Sequence, residues 1–167
     1  MTRAAAHVRP FAGRLWRICA EGADPLALVG SPMGRFHHDG QPALYASSSP
    51  EGAGVALASY LTPNDPARWI WPLQLAVPAL ADLRDPKACA ALGVDPRDLV
   101  SRWAEARAEG RAVRSWQLSD RMRAKGLDGF LYPSRKSPEH GHVALFGTTG
   151  LRKAGPPRRW VPPVPDC

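Results

Sequence analysis

A chain of 167 residues fits one domain with a single core, and a hydrophobic fraction of 44% with 22% charged residues excludes the disordered and fibrous classes. No apolar run approaches the length of a membrane span, and the first residues lack the apolar stretch of a secretory signal. The formal charge of +7 favours polyanionic partners without choosing among nucleic acid, phosphorylated metabolite and acidic protein. Cys19, Cys89 and Cys167 form no C-x-x-C pair and are odd in number, which fits free thiols in a reducing compartment and makes the cytoplasm the expected location.

In chain order, residues 1–13 read as a flexible N-terminus, and the alternation in residues 14–20 (RLWRICA) predicts a half-buried strand. Residues 21–40, rich in Gly, Pro and Asp, predict a long loop with one short helical turn at 25–29. A short strand follows at 43–47. Ser49, Pro50 and Glu51 form a helix start, through a capping hydroxyl, a tolerated proline and a carboxylate at the positive end of the dipole. The helix is predicted to run to about residue 60 despite Gly52 and Gly54.

Residues 69–77 and 79–83 read as strands interrupted by Pro72 and Pro78, which suits sheet edges or bulges. Asp95 and Pro96 repeat the start signal for a helix that carries Leu99 and Trp103 on one face and stops at Gly110. Another helix is predicted over 115–125, then two apolar strands at 129–133 and 142–146. The interleaved charges between 95 and 125 read as a solvated helical surface. Residues 151–167, with Arg152, Lys153, Arg158 and Arg159 among prolines, read as a loose basic tail. Strands and helices mix without regular alternation, which predicts a single α+β domain over 14–150.

Two segments could carry chemistry. In Gly34-Arg35-Phe36 the glycine permits close backbone approach and the guanidinium can grip a phosphate by two parallel bonds, with Tyr45 ten positions after Arg35. In residues 128–135 (DGFLYPSR), Ser134 follows a rigid proline at a strand end, where its hydroxyl can meet a ligand. It lacks the G-x-S-x-G elbow of a serine nucleophile. His37, His38, His140 and His142 lack metal-site spacing, so no metal is expected.

Taken together, Leu15-Trp16-Arg17-Ile18, Gly34-Arg35-Phe36, Ala43-Leu44-Tyr45 and the run from Asp128 to Arg135 resemble the RES family in order and spacing. Arg35 matches the family's arginine and Ser134 its serine. The resemblance implies an ADP-ribosyltransferase-like mixed sheet with flanking helices. It also implies NAD+ as substrate, cleaved at the nicotinamide–ribose bond with phosphate, water or a protein as acceptor, as in an NAD+ phosphorylase, glycohydrolase or ADP-ribosyltransferase. A toxin's cognate antitoxin of the Xre or ParS type is the implied partner, and a homo-oligomer is left open. Arg35 and Arg17 would contact the pyrophosphate, Tyr45 would pack on the nicotinamide or its ribose, and Ser134 would hydrogen-bond the ligand.

The sequence departs from the family at the glutamate. Eleven residues past Tyr45 stands Ala56, flanked by Val55 and Leu57, and the only acid of that helix is Glu51, about 7.5 Å away along the axis. One reading is an enzyme in which Glu51 substitutes. Another is a catalytically attenuated NAD-binding or regulatory protein. A third, a nucleic-acid-binding protein, rests on charge and tail alone, and direct nucleic-acid binding and membrane association are disfavoured.

Overall fold

A computed structural model describes residues 5–163; residues 1–4 of the expected flexible N-terminus, and Pro165 and Cys167 of the tail, lie outside the described residues. The fold is a single α+β domain built on a mixed sheet, as the sequence predicts. Two long strands dominate it. β1 (Val8–Ala20) pairs antiparallel with β3 (Arg68–Asp82) along nearly its whole length, from Val8 opposite Ala81 to Ala20 opposite Arg68.

Both strands are longer than the sequence suggests. Residues 8–13 belong to β1 rather than to a flexible terminus, and the segments either side of Pro78 are one strand. Proline is tolerated because its missing N–H is not required at these places. The register shifts between Arg9 and Phe11, so a bulge absorbs Pro10 and Pro78. The next free amide, Ala79 N, donates to the Asp128 carboxylate at 2.9 Å. Pro72 lies opposite Trp16 inside the sheet, and its carbonyl accepts from Ala154 at 2.9 Å.

β2 (Leu44–Ser47), β4 (Gly129–Pro133) and β5 (Gly141–Leu145) complete a circuit: β1 meets β2 at Trp16 and Ser47, β2 pairs with β5, β5 with β4, and β4 runs parallel to the end of β3. The rest of that edge of β3 is covered by β6 (Leu151–Lys153) and β7 (Arg158–Trp160). The expected loose tail is therefore, through residue 160, part of the sheet. Its anchor is Leu151, buried in the core beneath β3.

Helix α1 (Pro50–Leu57) starts as predicted, with Ser49 Oγ accepting from Gly52 N at 3.0 Å, and continues to Tyr60 as a 3-10 turn. The predicted turn of helix at 25–29 is not helical; Pro25 and Leu26 form a simple turn. An unpredicted α2 (Pro86–Leu92) follows β3. The predicted helix ending at Gly110 is split into α3 (Pro96–Leu99) and α4 (Trp103–Ala108), and α5 (Arg114–Ala124) follows.

Alternation along β4 and β5 divides the core in two. Phe130, Tyr132 and Ala144 face a cluster made with Leu92, Leu99, Leu118 and Met122 of the helices, while Leu131, Val143 and Leu145 face one made with Leu15, Leu73 and Leu75. With apolar partners on both faces, β5 is buried throughout.

Candidate functional site

Phe36 fixes the loop that carries Arg35. It is fully buried and meets Phe130 and Tyr132 edge to face, with centroids 4.9 and 4.8 Å away. Glycine is required at 34 because a side chain there would collide with the His37 imidazole, its Cβ only 2.9 Å from Nδ1.

Helix α5 then holds three consecutive loop carbonyls. Trp116 Nε1 donates to Gly34 O at 2.7 Å, Ser115 Oγ to Arg35 O at 2.6 Å and Ser119 Oγ to Phe36 O at 2.6 Å. One turn on, the Asp120 carboxylate takes His38 Nε2 at 2.9 Å and Gln41 Nε2 at 2.9 Å, while the His38 ring stacks on Trp116. Positions 115, 116, 119 and 120 share one helix face. That polar face is packed against the loop rather than solvated, and Ser115 and Ser119 are fully buried. Sequence reasoning missed this clamp; the two serines set four apart were its only sign.

Arg35 projects from the clamped loop and donates Nη1 to Ser101 O at 2.6 Å. That carbonyl is available because the helix breaks between α3 and α4. The remaining guanidinium donors are left for a ligand.

Tyr45 on β2 closes the loop from the other side. Its hydroxyl accepts from Phe36 N at 2.9 Å and lies 2.8 Å from His37 Nδ1. His37 Nε2 is 3.0 Å from Ser31 O, which can only accept, so Nε2 carries the proton and Nδ1 accepts the tyrosine's. Burial lowers the His37 pKa, consistent with this neutral form, and pushes the Tyr45 phenol up to about 12.

Ser134, at the end of β4, is 2% exposed and accepts from Lys136 N and Ser137 N at 3.3 Å each. Its own proton is free to be donated.

Arg35, Tyr45 and Ser134, up to ninety-nine positions apart in sequence, thus line one cleft of about 370 Å3, together with His37, Tyr60, Trp103, Arg135 and His142. Ala56 lines it as well, and among the described residues no aspartate or glutamate does. Glu51 is exposed at the start of α1 and is not brought to the cleft. Arg17 lines an adjoining hollow that shares Tyr45, Ala56, Tyr60 and His142 with the cleft, and its Nη1 is spent on Pro25 O and Ala27 O at 2.7 Å each. It holds the loop that follows β1 in place. Arg35, Arg102 and Arg135 gather in a further hollow at the mouth, where Glu105 accepts from Arg102 Nη1 at 2.9 Å and offsets one of the three charges. The arrangement is concave, cationic and aromatic-rimmed, and it suits an anionic ligand with a flat ring.

The fold and site define a class: a single α+β domain whose sheet and one polar helix aim an arginine, a tyrosine and a serine into a common cleft. The chain belongs to the RES domain family, whose model matches residues 14–161. A chain of the M. tuberculosis MbcT–MbcA toxin–antitoxin complex has a similar fold, with a TM-score of 0.68 at 17% identity over 96% of this chain and 91% of that one. No curated protein sequence matches significantly. Among the described residues no helix is long and apolar enough to cross a membrane.

Proposed function

We propose that this chain is a RES-type toxin whose cleft binds NAD+ and cleaves its nicotinamide–ribose bond, and that it is restrained by a cognate antitoxin. The observation that carries the reading is the convergence of Arg35, Tyr45 and Ser134 on one cleft, in family order. Arg35, with Arg135 at the mouth, meets the pyrophosphate. Ser134 donates to the ligand, and the Tyr45 ring forms a wall of the ring pocket, since its hydroxyl is committed to the loop. The structural likeness to a toxin–antitoxin complex supports an antitoxin partner.

The test is incubation of the purified chain with NAD+, with and without phosphate. Nicotinamide release is expected, and Arg35→Ala is expected to abolish it. Turnover no higher than that of Arg35→Ala would overturn the proposal.

A specific observation favours a second reading. Ala56 faces the cleft at the position where the resemblance implies the family's glutamate, and among the described residues no carboxylate lines the cleft to stabilise the oxocarbenium-like charge of glycosidic cleavage. The chain is then an NAD-binding protein of low activity, and calorimetry would show ADP-ribose binding with little nicotinamide released.

A further inference from the structure

His142 is the one histidine of the cleft with a nitrogen to spare. His37 has both ring nitrogens engaged, by Tyr45 and by Ser31 O. His142 sits on β5 between Ser47 of β2 and Tyr132 of β4 in the ladder, and is 6% exposed. Its Nδ1 lies 2.8 Å from Ser47 Oγ, and among the described residues Nε2 has no hydrogen-bond partner. The ring lines both the main cleft and the adjoining hollow. No fully buried side-chain nitrogen or oxygen among the described residues lacks a partner, so Nε2 opens onto the cleft surface and borders the space a ligand would fill.

The pairing with Ser47 equips the ring to handle a proton. A hydroxyl can accept from Nδ1–H or donate to bare Nδ1, so the imidazole keeps a partner in either tautomer. Burial first, then the nearby His140 and Arg35, hold the His142 pKa down at about 4, which keeps the ring neutral near pH 7. Among the described residues no carboxylate lines the cleft, so the Nε2 lone pair is the available base there.

We propose that His142, oriented by Ser47, is a catalytic residue whose Nε2 takes the proton of the oxygen nucleophile that displaces nicotinamide. The proposal rests on the NAD+-consuming reading above. With water as nucleophile, the oxygen bonds to ribose C1′ and the C1′–N bond breaks. Its electron pair stays on nicotinamide, which leaves neutral. The water's proton passes to Nε2 and then to solvent, so NAD+ and water give ADP-ribose, nicotinamide and one proton. Ser47 is a positioning residue, acting through the imidazole.

Nicotinamide release by the full chain is compared with that of His142→Gln, His142→Asn and Ser47→Ala, and ADP-ribose affinity is measured calorimetrically for each. Removing a general base is expected to lower kcat by about 100-fold or more while the ADP-ribose Kd stays within about threefold. Ser47→Ala is expected to lose about tenfold in kcat with KM little changed. His142→Asn, a smaller amide that can still meet Ser47, serves where the Gln variant does not fold. Either variant overturns the proposal if it keeps more than about a third of wild-type kcat, or if ADP-ribose binding is lost together with turnover. A wild type that releases no nicotinamide removes the NAD+-consuming reading itself, and this proposal with it.

Discussion

Ala56 stands in the cleft wall with only a methyl group, at the position where the resemblance to the family implies a glutamate. In the proposed reaction, positive charge developing on a ribose there would meet Arg35, Arg135 and two histidines, and among the described residues no carboxylate lines the cleft. An Ala56→Glu chain is therefore expected to release nicotinamide about 100-fold faster than wild type, the scale of a single transition-state electrostatic group. Chromatographic quantification of nicotinamide checks it, and equal rates would show that the missing carboxylate does not limit turnover. Tyr45 makes the complementary case. Tyr45→Phe leaves the Phe36 amide and His37 Nδ1 without their partner, so a loss of about 1–3 kcal/mol in urea unfolding is expected. The gathering of Arg35, Tyr45 and Ser134 was legible in the sequence through their order in the family. The hydroxyl's commitment to the loop was not, because its partners meet it only once residues 31–37 have turned back on themselves. Nor could the sequence show that Glu51 faces solvent while Ala56 faces the cleft. Helical periodicity separates those two positions but does not say which of them the sheet turns inward.

At the scale of elements, α5 sets the position of Arg35. Ser119→Ala strips the Phe36 carbonyl of its 2.6 Å donor in a fully buried place. The expected cost is about 1–3 kcal/mol in urea unfolding, accompanied by faster amide hydrogen exchange over residues 34–41; unchanged exchange there would count against a clamp. The His38–Asp120 contact adds a pH dependence. Burial alone would lower the His38 pKa, but hydrogen bonds to Asp120 and Asp39, with their charges, outweigh it and hold the value above the ordinary 6.5. Asp120 is held below 3.8: burial opposes this, and the bonds from Gln41 and His38 prevail. A raised histidine contributes stability that is full below 6.5 and is lost as pH rises through the folded value. A depressed carboxylate contributes stability that is full above 3.8 and is lost as pH falls through the folded value. The clamp is thus strongest between 3.8 and 6.5. His142, lowered to about 4, works in the opposite direction on the acid side. The measurement is therefore the difference between wild type and His38→Gln, which is expected to shrink as unfolding is followed from about pH 6 to about pH 9. Charge interleaving between residues 95 and 125 gave a correct sign of a solvated helical surface, since most of those charged side chains are exposed, but it could not show the packed face of Ser115, Trp116, Ser119 and Asp120, whose partner is a loop far away in sequence.

Across the whole molecule, β3 is the hub. One edge is taken by β1, and the other is shared among β7 at residues 68–70, β6 at 73–75 and β4 at 80–82. Prolines in this strand read as boundaries in the sequence because local rules treat the missing N–H as a broken ladder. A bulge at Pro78 and a carbonyl-only contact at Pro72 keep the strand whole, and neither can be seen without the partner strands. The same pairing gives the basic tail a structural task. Leu151 is buried, and Gly150, at φ +76°, brings its carbonyl to Ala76 N at 2.9 Å where any side chain would strike the Ala76 carbonyl. Trp160 reaches back toward α1, where a Cβ on Gly54 would come within 3.5 Å of its ring. A chain ending after Gly150 leaves two stretches of β3 unpaired and uncovers the core at Leu151. A loose tail would be removed at no cost. The sheet instead requires that truncation lower the unfolding midpoint and, by freeing a strand edge, promote self-association. Urea titration with light scattering on the chain shortened to residue 150 separates the two outcomes. Because β1 to β5 still pair in a circuit without the tail, the shortened chain is expected to keep its secondary structure by circular dichroism while losing stability and solubility.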